Sequence, residues 1–211
     1  MKKISILIFA AFALAFSGCQ DEAEPGGTAL EEMAGDWWVT FDANYYHYMN
    51  CYNEAYGEDK PFPAYSADIN GDGVVNLTDL ESSEYAEAWT GMKDAPIRIY
   101  TYNTAANDKT KMWVEESFWP TKTQVDVDYA AKTFSVTDKD NIIVTKPKNS
   151  DPYYCTVNIL GGKILKNAAK TPSGNPADSI IFYIKYNDDY GNDIWYKVSG
   201  FRRSGFKEDD F

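Results

Sequence analysis

The stretch Asp68-Ile69-Asn70-Gly71-Asp72-Gly73-Val74-Val75-Asn76-Leu77-Thr78-Asp79 concentrates oxygen-bearing side chains in twelve residues. Asp68, Asn70, Asp72, Asn76 and Asp79 occupy positions 1, 3, 5, 9 and 12, with Gly73 at the sixth. A calcium loop needs side-chain oxygens at those positions, a backbone carbonyl at the seventh and glycine at the sixth for a sharp turn. Val74 supplies the carbonyl, and Val75 supplies the apolar residue that packs beneath such a loop. Three carboxylates give the loop a formal charge of −3, and a divalent cation relieves their repulsion. Calcium is therefore the expected ion, because so many protein oxygens converge. Extracellular sites of this kind fill at about 10⁻⁴ to 10⁻³ M calcium.

The pattern departs from a full EF-hand. The twelfth position is Asp79 rather than glutamate, and Pro61 and Pro63 exclude a long regular helix leading into the loop. The combination resembles the loop–helix half of a dockerin repeat, in which aspartate at the twelfth position ligates calcium. Dockerins carry two repeats. Here "DKDNIIV" and "DDYGNDI" lack the sixth-position glycine and the terminal acid, so a cohesin partner does not follow. Without a helix pair to open, the ion is expected to fasten the segment rather than to signal.

Catalytic chemistry finds less support. The single histidine, His47, lies in the aromatic run "YYHYMN", and no Gly-x-Ser-x-Gly elbow is present. Number of serines and carboxylates is not geometry, so His47 reads as structural and no catalytic residue is assigned. Asp126 and Asp128 share one strand face opposite Val125 and Val127, as solvated carboxylates do. Tryptophans 37, 38, 113, 119 and 195 fall on or beside strands, with Trp89 apart from them, and most should be core. Trp37, Trp113 and Trp195 are the aromatic candidates for touching a ligand. Arg202, beside Arg203, could clamp a carboxylate head group with its planar fork. Pairing with some of the 32 acidic side chains is the preferred reading of both arginines.

The elements that must carry these residues are strands. Apolar and polar residues alternate with period two in "GDWWVTFDA", "IRIYTYN", "KMWVEESFW", "TQVDVDY" and "KTFSVTD". "YYCTVNIL" and "KILKNAAK" flank Gly161-Gly162, a two-glycine hairpin signal. "DSIIFYIKYN" and "IWYKVSGFRR" flank the turn "DDYGND". Eight or nine short strands joined by turns predict a mainly β fold, an antiparallel up-and-down barrel or a sandwich. A barrel of about eight strands can hold one small ligand. Because Trp37 and Trp38 point to opposite faces, as do Trp195 and Tyr196, one face must be covered by the inserted segment 45–95 or lie partly exposed. Residues 45–95 read differently, as an inserted loop–helix segment carrying the calcium loop 68–79. It opens with "NYYHYMNCYNEAYG", aromatic and helix-compatible.

The ends and the composition place the chain. Met1-Lys2-Lys3 precedes an apolar run, Ile4 to Phe16, too short to span a bilayer and suited to a signal-peptide core. Phe16-Ser17-Gly18-Cys19 resembles a bacterial lipobox, in which Cys19 becomes the lipidated N-terminus. Residues 1–18 are then the leader and 19–33 an acidic flexible tether, with the barrel domain at 34–211. An outer-membrane lipid anchor follows, on the periplasmic face or the cell surface. Loss of the leader takes Lys2 and Lys3 with it and turns the net charge of −12 into −14 over 193 residues. Such a surface has no means of neutralising phosphates, which excludes nucleic acid as a partner. Cys51 and Cys155 could form a disulfide in an oxidising compartment, but spacing does not establish it.

"TYNTAANDKTKMWVEES", "KTPSGNPADSIIFYI" and "YKVSGFRRSGFKEDD", with "LEEMAGDWWVTFDA" before them, resemble the Bacteroidetes lipoprotein family labelled lipid-binding putative hydrolase. The resemblance covers residues 30–44 and 96–211. It implies a lipocalin-like barrel of eight antiparallel strands, an outer-membrane anchor and a lipid or small apolar ligand. Segment 45–95 is longer than that family leads one to expect. A surface carbohydrate-binding or adhesion module is the alternative function, and a lipid hydrolase the third.

Overall fold

The computed structural model describes residues 27–60, 62, 66–82, 89–91, 96–117, 120–143, 156–186 and 194–211. Cys19 with the leader, Pro61, Pro63, Trp119, Cys155 and the "DDYGND" turn lie outside them. The strands are β1 (Gly35–Asn44), β2 (Trp89–Gly91), β3 (Ile97–Asn103), β4 (Lys111–Glu116) and β5 (Thr121–Asp128). They continue as β6 (Thr133–Asp140), β7 (Thr156–Lys170), β8 (Pro176–Tyr186) and β9 (Tyr196–Arg202). Two α-helices, α1 (Tyr45–Ala55) and α2 (Leu77–Leu80), separate β1 from β2.

From β3 to β9 each strand pairs antiparallel with the next, and β1 pairs with β3 on one edge. Its other edge pairs with β9, from Trp37↔Arg202 to Ala43↔Tyr196. Eight strands thus close into a barrel, which settles the choice between barrel and sandwich and removes the exposed edges. The short β2 pairs with Asp42–Asn44 of β1, beyond the end of β3. Segment 45–95 is thereby tied into the sheet at its far end.

Alternation places the core. Trp37, Phe41, Met112, Ile159, Phe182 and Tyr196 are among the inward side chains with essentially no exposure. Leu30 and Met33 are equally buried. Residues 28–33, expected to belong to the tether, therefore turn under the barrel and plug the end where β1 begins. Their two apolar side chains, three apart in a single turn, are what holds them there. At the opposite end α1 lays Cys51 and Tyr48 against the same core. Its first turn is held by Asn44, whose side chain accepts the His47 backbone N–H at 3.0 Å.

One expected hairpin is absent. Gly161-Gly162 lies within a continuous β7, paired with β6 at Phe134↔Gly162 and with β8 on either side at Leu160↔Tyr183 and Lys163↔Ile181. Gly161 and Gly162 of β7 thus oppose the single Phe182 of β8, which is a β-bulge. Gly161 takes φ = +61°, the left-handed conformation that a hairpin turn would also have required.

Candidate functional site

Within the predicted calcium loop, turn geometry follows from side chains bonding their own backbone. Asp68 Oδ1 accepts N–H bonds from Gly71 (2.9 Å) and Asp72 (3.2 Å), and its Oδ2 accepts that of Gly73 at 2.8 Å. Asn70 accepts from Asp72 N and Asp72 from Val74 N. Gly71 and Gly73 have φ of +72° and +85°, so the sixth-position glycine does the work expected of it. Asn76 caps α2, and Asp79 Oδ2 accepts the Asn76 N–H at 2.9 Å in a reciprocal capping box. Asp79 is buried, whereas Val74 exposes 64 % of its surface. Among the described residues no three His, Cys, Asp or Glu side chains converge as a ready metal cluster.

The loop does not stand free. Ala67, Leu80, Tyr183 and Trp195 form a second apolar cluster on the outside of the barrel, joined by Ile69, Val75, Leu77 and Leu160. Leu77 sits directly over the β7 bulge, where a Cβ added to Gly161 would lie 2.5 Å from Leu77 Cδ2. The aromatic outer face expected at Trp195 is thus covered by the 67–80 segment. Beside this contact lies a cleft of about 540 Å³ between the loop and the wall formed by Thr137, Asn158, Leu160 and Trp195.

At the plugged end the ligand candidates Trp37 and Arg202 meet. Trp37 points inward and donates its indole N–H to Thr101 Oγ1 at 2.9 Å. Arg202 lies over the Trp37 ring, 4.5 Å from its centroid. Its Nε donates to Asp178 Oδ2 at 3.2 Å, its Nη2 to Glu32 O at 2.9 Å, and its Nη1 to Ala34 O. Arg203 pairs with Asp210 and Asp36. Both arginines are thus engaged with the chain's own acceptors. A second cleft of about 350 Å³ opens here, lined by Lys132, Lys166, Ile164 and three carboxylates as well as Arg202.

The remaining candidate, Trp113, lies on the outward face of β4 between the inward Met112 and Val114. Lys122 Nζ stands 5.6 Å from its ring centroid. Trp38, also outward, is covered by the C-terminus. Its Nε1 donates to Asp210 Oδ1 at 3.1 Å, and Phe211 meets it edge-on at 5.6 Å. That cover comes from the tail and not from segment 45–95.

A buried polar pair that pattern reading missed sits inside the barrel at the α1 end. Glu116 is the last residue of β4, where alternation turns its side chain inward, and Tyr186 OH donates to its Oε1 at 2.9 Å. Burial, and then the Glu116 charge, push the Tyr186 hydroxyl well above the ordinary tyrosine range. The inward register of a glutamate among apolar neighbours was the available signal. His47 is likewise buried, within α1.

A closed antiparallel barrel of eight strands has an interior that side chains can fill or that can hold one small ligand. Residues 58–207 match the family described as lipid-binding putative hydrolase, and the chain belongs to that family. The match starts inside segment 45–95 and leaves out residues 30–44, where the resemblance had also been expected. No curated protein matches the chain.

Proposed function

We propose that the protein is a lipid-anchored envelope protein that binds a lipid or small apolar ligand and holds calcium in its 68–79 loop. The lipid-binding family and the closed barrel with its apolar interior carry the ligand reading. The anchor rests on the Phe16-Ser17-Gly18-Cys19 motif. Native mass spectrometry of protein purified from its own host tests the ligand: a retained acyl chain supports the reading, and an empty barrel in every preparation sinks it.

Calcium binding is supported by the twelve-residue ligand pattern and by positive φ at Gly71 and Gly73. Asp68, Asn70, Asp72, Asn76 and Asp79, with the Val74 carbonyl, would hold the ion. Bound there, it supplies two positive charges against three carboxylates and ties the loop that packs on Trp195. Calorimetric titration with calcium on the chain from residue 20 onward, followed by melts with and without the ion, tests this. Absence of heat and of any shift in melting would remove calcium from the reading.

A second reading, a surface carbohydrate-binding module, draws on α1. Tyr45, Tyr46 and Tyr52 on that helix and Tyr56 at its C-cap are all at least 36 % exposed, and tyrosine rings stack on sugar faces as readily as they fill cores. A glycan array in calcium buffer decides it. Hydrolysis, the third reading, has only the family description behind it, and an esterase panel with His47→Ala as control tests it.

A further inference from the structure

The described interior of the barrel is filled by its own side chains. Phe41, Met112, Val125, Ile159, Ile180 and Phe182 face it from five strands and are at most 1 % exposed. A void as wide as an acyl chain also admits a water-sized sphere, so its walls would keep accessible surface. An apolar ligand inside the barrel must therefore take the place of side chains already there. Among the described residues, the buried core draws only Leu30, Met33, Cys51 and Ile194 from outside the strands. Strand residues are held by the ladder. Cys51 rides on α1, which continues directly from β1, and Ile194 stands two positions before β9. Leu30 and Met33 differ, because residues 28–33 precede β1 and join the barrel through it alone. Their turn closes on itself, with the Met33 and Ala34 N–H groups both donating to Leu30 O at 2.7 Å. The segment is a strap that can move as one piece.

The strap makes the contacts an amphiphile would make. Leu30 and Met33 fill the barrel mouth, and the Glu32 carboxylate pairs with Lys132. That lysine holds the Glu32 carboxyl below its ordinary range. Arg202 takes the Glu32 carbonyl, and Thr101 Oγ1 donates to Met33 O at 2.6 Å. Beside the strap, the 350 Å³ cleft reaches from the surface to Ile164, a member of the core. Its basic side chains, Lys132, Lys166 and Arg202, face the carboxylates of Glu31, Glu32 and Asp178. Two of those carboxylates belong to the strap. Without it, three cations face Asp178 alone, in a chain whose net charge is −12. Such an opening selects a negative head group.

We propose that residues 28–33 are a displaceable, autoinhibitory strap over a site for a single-chain amphiphile with an anionic head group. The alkyl chain enters where Leu30 and Met33 lie, and the head group takes Lys132, Lys166 and Arg202. The inference rests on the lipid-binding reading and adds to it a head-group class and a gate.

The test titrates the full-length chain by calorimetry with laurate below its aggregation concentration and, in parallel, with monolauroylglycerol and butyrate. Amide hydrogen exchange is followed with and without laurate. Leu30→Ala with Met33→Ala loosens the strap, Glu32→Gln frees Lys132, and Lys132→Gln is added to Glu32→Gln to remove the head-group contact. Circular dichroism confirms that each variant is folded. Laurate should bind tighter than either comparison ligand and raise exchange in residues 28–33 while the strands stay protected. Glu32→Gln should tighten laurate binding about twofold to fivefold, the range of an exposed ion pair, and adding Lys132→Gln should reverse that gain. The Leu30/Met33 double variant should bind at least about tenfold tighter, since less of the chain is held closed. Binding seen only in that variant also supports the strap. Unchanged exchange in residues 28–33 on laurate binding overturns the strap and sustains the lipid reading. Monolauroylglycerol bound as tightly as laurate overturns the anionic class, and butyrate bound as tightly overturns entry of the alkyl chain. Failure of every variant to bind laurate overturns the proposal, and failure to retain any lipid from a host extract as well overturns the lipid reading itself.

Discussion

The Arg202 guanidinium lies over Trp37 and ties two separate parts of the chain: Asp178 on β8, and the segment before β1 through the carbonyls of Glu32 and Ala34. One planar fork thus clamps the plug of the barrel against its first inward tryptophan. Lysine cannot reproduce that geometry, since it has one donor site on a flexible stem. Arg202→Lys should cost about 1.5–3 kcal/mol, the range for hydrogen bonds to a charged group. Urea unfolding checks it, and a midpoint equal to wild type would make the clamp decorative.

The Leu77 contact with Gly161 predicts coupling between two positions 84 residues apart. Gly161→Ala places a side chain in a left-handed conformation, which costs about 1–2 kcal/mol, and drives its Cβ into Leu77. Leu77→Ala alone should cost about 1 kcal/mol for a half-buried leucine. The double variant should be less damaged than the sum by at least about 0.5 kcal/mol, because the shorter side chain makes room. Strict additivity in denaturant melts would mean the loop does not bear on the bulge.

Asp209 gives the protein an acid-sensitive tie. Hydrogen bonds from Ser173 and then Ser204 lower its carboxyl from an ordinary 3.8 to about 2. Its folded value is below its unfolded one, so the stability it contributes is complete above about pH 4. That contribution falls away as pH drops from about 4 to about 2. Asp209→Asn should melt lower at neutral pH and show a flatter decline across that window. Melting curves of wild type and variant from pH 2 to 6 measure the difference, and parallel curves would refute it.

The C-terminal cover predicts the effect of its removal. Phe211 packs on Trp38 and lies 6.4 Å from the Phe201 ring, while Asp210 takes the Trp38 N–H. Deleting residues 206–211 should expose Trp38, red-shift tryptophan emission and lower the urea midpoint. Emission identical to the full chain would show that Trp38 is shielded by something else.

Local pattern made much of this legible. Alternation in "IRIYTYN" turned Ile99 and Thr101 inward, and the Asp/Gly spacing of the loop foretold positive φ at Gly73. What failed was non-local. Gly161-Gly162 reads as a turn because it needs the same φ as a turn. Only pairing to neighbours on both sides, 18 to 28 residues away, keeps the strand going. Leu30 and Met33 were lost for a related reason: two apolar residues in an acidic stretch carry no period, and their value appears only when a barrel end needs filling.

The seam between β1 and β9 joins residues far apart in the chain, Thr40 and Ser199 for example being 159 positions from each other. Every other pair in the barrel can zip to its neighbour as synthesis proceeds, but this one must wait for the final strand. Until then both margins of the ribbon are open and able to template another chain. The barrel is therefore a late, all-or-none assembly, and contacts this distant slow its folding. A chain lacking its last fifteen residues is not a smaller barrel but an unclosed sheet.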